Sequence, residues 1–254
     1  MSWLFPKRLA DGDEIVVAGV TVRLKVSGRA RRISLRLDMA RGEVLAIAPT
    51  LRQLNEAAAF AGSRADWITE QFQALPQRQS VRPGDVIEVL GRPHLLRHAP
   101  GKPLFRAGAG PEPASLTVGG DPARFGATVV RTLKQEARRA LTERTEVHAT
   151  ALGRPMPVVS VTDARSRWGS CRPPRMEGFG AGYEVGRIRY SWRLILAPFD
   201  VADYVAAHEC AHLIEANHSP RFWAVVRGLV GDHRPYRAWL REHGARLHAF
   251  GGEI

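Results

Sequence analysis

Residues 205–223 read VAAHECAHLIEANHSPRFW, and this stretch decides how the rest of the chain is read. His208 and His212 stand four apart. One helical turn takes 3.6 residues, so on a helix both imidazoles leave the same face, one above the other. That spacing lets both reach one metal ion. Glu209 follows the first histidine directly, where a carboxylate reaches a water on the metal without ligating it. A metal acidifies such a water and Glu209, as general base, takes its proton. The hydroxide formed attacks a carbonyl or phosphoryl centre.

A catalytic zinc site has three protein ligands and one open position. His218, six residues after His212, is the third candidate. Asn217 can end the first helix and Ser219-Pro220 can start the next, so a ligand at this turn can fold back over the site. Glu215 is the alternative, one turn beyond His212, either as a ligand or as a group that orients one. Zn2+ is the metal expected from these ligand types, although other divalent ions fit the same residues. Ala207, Cys210, Ala211 and Ile214 form the opposite face and are expected to pack inward. Cys210 therefore reads as a small buried hydrophobe. Cys171 lies two residues after Gly169, near the edge of the site. His94, His98, His148, His233 and His243 are assigned no role.

Working outward, three helices are expected, at 200–215, 220–229 and 235–248. Upstream, Asp121-Pro122 opens another helix: Asp caps free N–H groups, and Pro at the first helical position loses nothing. Val129, Val130, Leu133, Ala137 and Leu141 give it an apolar stripe. Short strands are expected at 158–161 and 188–196, separated by a glycine-rich loop at 172–186. Before residue 120 the pattern changes. Val20, Val22, Leu24 and Val26 alternate with polar residues, as do Ile33, Leu35 and Leu37. Residues 44–48 follow a turn at Arg41-Gly42. This period of two describes half-buried strands of an antiparallel meander. A helix at 51–75, stopped by Pro76, and strands at 86–96 around a Gly91-Arg92-Pro93 turn complete the region. The expected fold class is α+β. Residues 1–120 form an antiparallel β-rich region with one helix, and residues 121–254 a zincin-like helical catalytic domain with a small β-sheet.

The formal charge of +12 favours polyanions, so nucleic acid is a possible partner through a basic surface. Two cysteines exclude a disulfide framework. No stretch approaches 18 apolar residues, so no membrane partner is expected. The first fourteen residues lack the apolar run of a secretory signal, and the expected location is cytoplasmic.

The segments Arg167-Trp168-Gly169-Ser170-Cys171, IRYSWRLILAP at 188–198 and VAAHECAHLIEANHSPRFW closely resemble the YgjP-like metallopeptidase family, which is related to the SprT-like and WLM zinc proteases. The resemblance implies a zincin-like domain, with zinc ligands at His208, His212 and His218 and the general base at Glu209. It also implies that the Trp-Gly-Ser-Cys segment and a Ser191-Trp192-Arg193 strand flank the cleft. An edge strand there could receive an extended peptide. For Trp168, Trp192 and Trp223 core packing is the simpler expectation. The leading function is zinc-dependent peptide hydrolysis on a protein or peptide substrate. A nucleotide phosphohydrolase of the UTP type, or a nucleic-acid-associated protein with a structural zinc, are the alternatives. Tyr190, Tyr204 and nearby arginines are unranked candidates for polarising the carbonyl.

Overall fold

The computed structural model describes residues 9–38, 43–73, 80–164, 167–176 and 183–251. The beginning of the chain before residue 9, the Arg41-Gly42 turn, the Pro76 helix stop and positions 177–182 of the glycine-rich loop lie outside them. The chain is α+β and divides into two compact units, residues 1–77 and 78–254.

The first unit holds β1 (Glu14–Val17), β2 (Val20–Val26), β3 (Ser34–Asp38), β4 (Glu43–Ala48), α1 (Leu54–Gly62) and α2 (Ala65–Gln73). The alternating residues are inward-facing as expected: Val22, Leu24, Val44 and Ala46 are fully buried, together with Leu54, Ala57 and Ala61 of α1 and Ile68 of α2. The meander, however, is corrected. The strand order is β1-β2-β4-β3, with β2 and β4 parallel and only the outer pairs antiparallel. Alternation says which side chains point inward; it carries no information on which strand lies beside which. The single helix expected at 51–75 is also divided, with Ser63 capping α1 and its hydroxyl donating to the Phe60 carbonyl at 2.8 Å.

The second unit begins with β5 (Val86–Val89), β6 (Arg92–His98), β7 (Leu104–Arg106) and β8 (Ser115–Val118), paired in the order β5-β6-β8-β7. The turn between β5 and β6 is Leu90-Gly91, both with positive φ, one residue earlier than the sequence suggests. Ile87, Val89, Leu96, Leu116 and Val118 of this sheet join the same core as the helices that follow. The division therefore falls near residue 78 and not near 120: the Gly- and Pro-rich stretch before Gly120 connects strands of one sheet and separates no cores.

Next come α3 (Phe125–Ala151), β9 (Val158–Thr162), β10 (Gly169–Arg172), the short pair β11 (Arg175–Met176) and β12 (Tyr183–Glu184), β13 (Arg187–Ser191), α4 (Phe199–Ala211), α5 (Pro220–Val230) and α6 (Arg234–Ala249). Asp121 caps the entry to α3, its carboxylate accepting from the Ala123 N–H at 2.9 Å ahead of a 3-10 turn at Pro122–Arg124. Val129, Leu133, Ala137 and Leu141 form the buried stripe of α3. Full burial of a leucine such as Leu133 stabilises the fold by about 1.5–3 kcal/mol. The three-stranded sheet runs β10-β13-β9, which leaves β10 at an edge. The expected strand at 188–196 ends at Ser191, and Trp192–Leu196 is a 3-10 helix with every residue buried. In α4, Ala206, Ala207, Cys210 and Ala211 are completely buried, and these small side chains let the helix lie deep between α3 and β10. Among the described residues no helix is long and apolar enough to cross a membrane.

Candidate metal centre

α4 ends at Ala211, four residues before the expected stop. His212 is its C-cap, yet keeps right-handed helical angles (φ −68°, ψ −12°), so the one-turn relation to His208 survives. Their ring centroids are 5.2 Å apart. The chain then turns through 213–218, and Ser219 starts α5 by accepting the Phe222 N–H at 3.2 Å, with Pro220 in the first turn. This places His218 over the end of α4, its ring 5.0 Å from His208 and 4.8 Å from His212. One nitrogen from each of the three lies within 4.8 Å of the others. Phe222 is fully buried and backs all three, with ring centroids 4.5–4.9 Å from the imidazoles.

The donor set fits a metal. His212 Nδ1 donates to the Glu215 carbonyl at 2.9 Å, which fixes the proton on Nδ1 and leaves the Nε2 lone pair free. The Nε2 atoms of His208 and His218 face each other at 3.0 Å. Two nitrogens on one zinc, each at about 2.0–2.1 Å, lie about 3.3 Å apart in tetrahedral geometry. His208 is pushed down to about 3, first by burial and then by the neighbouring histidines, so its ring is neutral and able to ligate. Its Nδ1 is buried without a partner, so no hydrogen bond at that nitrogen rewards a proton. Glu215 stays outside the cluster. Its carboxylate pairs with Arg221 at 2.9 Å, and its contribution is the carbonyl that orients His212.

Glu209 is only 5% exposed and lies against β10. Burial pushes its carboxyl up to about 7, against the opposing charge of Arg167. Gly169 is what makes room for it. A Cβ at Gly169 would come within 2.6 Å of Glu209 Cγ and 2.7 Å of Cδ, and closer still to Oε1. Gly244 plays a similar part for Trp168, whose Cζ2 a Cβ there would meet at 3.0 Å. Trp168 stacks on His248 at 4.5 Å.

Two cavities flank Gly169. One, of about 290 Å³, holds His208 and Glu209 with Trp168, Tyr204, Arg237 and Leu240 among its walls. The other, of about 410 Å³, is lined by Arg167, Ser170, Arg189 and Asp163 among others. The aromatic candidates separate accordingly. Tyr190 is fully buried, with its hydroxyl on Thr145 at 2.9 Å, and takes no part in the cleft. Tyr204 lines the first cavity, and burial raises its phenol. Of the expected Ser191-Trp192-Arg193 strand only Ser191, the last residue of β13, is strand and borders the second cavity; Trp192 is 1% exposed and packs on Phe250, and Arg193 is buried against Asp163. Trp223 is half-buried beside His218 and stacks on His233 at 4.5 Å. Both cysteines are free, and burial raises each thiol to about 12, leaving them inert. His94 and His98 bond backbone carbonyls, and His148 bonds Asp203. Trp168 and Gly169 of the Trp-Gly-Ser-Cys segment, which the resemblance sets beside the cleft, line the first cavity, and Ser170 lines the second. The sequence gives no sign that Gly169 makes room for Glu209, that Phe222 backs the histidines or that Arg237 lines the cavity.

Three imidazoles converge beside a carboxylate buried in the wall of a cavity, an arrangement whose donor set suits a metal ion. The family model of the YgjP-like metallopeptidase domain matches residues 31–243, and the chain belongs to that family. Comparison with curated proteins and with solved structures returns no match.

Proposed function

We propose that this protein is a zinc-dependent peptidase, with His208, His212 and His218 as metal ligands and Glu209 as general base. The observation that carries the reading is the convergence of the three histidine nitrogens within 4.8 Å, next to a carboxylate buried in the wall of an open cavity. Zinc bound there would supply Lewis acidity to a water and to the scissile carbonyl. Glu209 takes the proton of the attacking water and delivers it to the leaving amine. A carboxyl whose affinity for protons sits near neutrality suits both transfers. β10 offers an unpaired strand edge on which an extended peptide could align its backbone beside Glu209. Tyr204, which lines the same cavity, would assist at the carbonyl oxygen.

The test is cleavage of unfolded casein by the zinc-loaded protein, with Glu209→Gln as control and with single-stranded DNA present or absent. New amino termini that appear only with Glu209, in a variant that still holds zinc, support the peptidase. Absence of cleavage combined with Glu209-dependent hydrolysis of UTP would overturn it in favour of a phosphohydrolase.

A further inference from the structure

The cavity of about 290 Å³ beside Glu209 carries more positive charge than metal binding or proton transfer calls for. Arg237 and Arg241 both line it. They stand four apart on α6, so their side chains project from the same face. Several arginines of this unit are paired with carboxylates, among them Arg144 with Asp203, Arg193 with Asp163, Arg221 with Glu215 and Arg234 with Asp232. Among the described residues neither Arg237 nor Arg241 has a carboxylate partner. Arg237 is instead held over the Trp223 ring at 5.6 Å, and Trp223 is itself stacked on His233. A guanidinium fixed on an aromatic face keeps its N–H groups free for a planar anion and loses little freedom on binding one. Trp168 and Leu240 give the cavity apolar walls that suit the methylenes of a side chain.

From this arrangement we propose that the cavity is a specificity subsite for an acidic side chain of the substrate, whose carboxylate is read by Arg237 and Arg241. The inference rests on the peptidase reading and names the peptides it would prefer. Among the described residues Glu209 is the one carboxylate lining the cavity, and in the peptidase reading it is committed to the reacting water. The two guanidinium groups are therefore left to an incoming anion. A glutamate side chain fits the volume. A lysine in the same place would meet two like charges.

Two measurements test this, one of them independent of turnover. In the first, zinc-loaded Glu209→Gln is titrated with blocked hexapeptides that differ only by Glu, Gln or Lys at one position, scanned along the peptide. Binding is read by tryptophan fluorescence and calorimetry. At one position Glu should bind about tenfold tighter than Gln, the scale of a charge-assisted hydrogen bond. In Arg237→Gln and Arg241→Gln, each made in that background, the ratio should fall towards one, and Arg241→Lys should keep part of it. In the second, kcat/KM of the otherwise wild-type enzyme should show the same preference and the same loss. Glu209-dependent cleavage without acid preference at any position overturns the subsite and leaves the peptidase standing. Tight binding of the Glu peptide without cleavage of any peptide overturns the peptidase and keeps the anion site. Equal losses for Glu and Gln peptides in both arginine variants refute the assignment. So does UTP binding that exceeds the acidic peptide and disappears with the same arginines.

Discussion

Gly169→Ala adds a single methyl group and should disable the enzyme while leaving it folded and able to bind metal. Gly169 lies in β10, and its φ is outside the left-handed region, so alanine suits the backbone there. Only space forbids it. The new Cβ would lie 2.6 Å from Glu209 Cγ, where ordinary contact begins at 3.4 Å. The Glu209 side chain must therefore retreat by about 0.8 Å, because repulsion rises steeply inside the contact distance. It has somewhere to go, since both Gly169 and Glu209 border the 290 Å³ cavity. Relief into that space should keep the stability cost near about 1 kcal/mol, at the lower end of overpacking penalties. Catalysis has no such latitude: a misplacement of about 1 Å costs on the order of 100-fold, or about 2.7 kcal/mol of barrier. The expected result is a 30- to 100-fold fall in kcat (roughly) with zinc content unchanged. The assay is turnover on any peptide whose cleavage depends on Glu209, together with elemental analysis and a melting curve. Activity within threefold of wild type, in a folded and metal-replete variant, would refute the claim that Gly169 positions Glu209.

Other consequences follow from the same geometry. His218→Ala should lose most bound zinc under dialysis against a mild chelator, whereas Glu215→Ala should retain a substantial part; elemental analysis that reverses the two would make Glu215 the ligand. Asp163→Ala leaves Arg193, 3% exposed, without its carboxylate; with Asp163 itself half exposed the loss should be about 2–3 kcal/mol in urea unfolding, below the usual range for a buried pair. At Asp203, burial would raise the carboxyl, but hydrogen bonds from His148 and Arg144, both at 2.7 Å, outweigh it and hold the group below its usual value. A depressed carboxyl adds stability above its unfolded pKa, about 3.9, and loses it as pH falls through the lower folded value. Wild type should therefore lose melting temperature more steeply than Asp203→Asn below about pH 4, and parallel curves would show that Asp203 contributes nothing to acid sensitivity.

Much of this was open to reading in the sequence because it depends on local spacing. The relation of His208 to His212 is fixed by helical pitch, and it holds even though α4 ends earlier than expected. Asp121-Pro122 and Ser219-Pro220 act as helix starts because capping is settled within three residues. Cys210 is buried, as its place on the inward face requires. What could not be read depends on pairings distant in sequence. Nothing local tells β4 to insert between β2 and β3, or residues 78–120 to share a core with α3. The 3-10 turn at Trp192–Leu196 reads as strand because all its residues but Arg193 are apolar, and a short, mostly apolar run has no period to betray its conformation.

The glycines show why a site can be harder to read than a fold. A glycine in a short edge strand ordinarily weakens it, so Gly169 considered alone argues against structure at that point. Its meaning lies forty positions downstream, in the carboxylate of Glu209 that occupies the space a side chain would need. Gly244 makes room for Trp168 in the same way, and Trp168 in turn forms a wall of the cavity that Glu209 shares. The helix carrying the histidines can press so close to β10 only because its inward face is alanine and cysteine. Close approach, and with it the burial that brings Glu209 to a proton affinity near neutrality, is thus produced by side chains that are small or missing. Ligands announce themselves by what they carry; the residues that position them do so here by what they lack, and only the packed structure shows which absences matter.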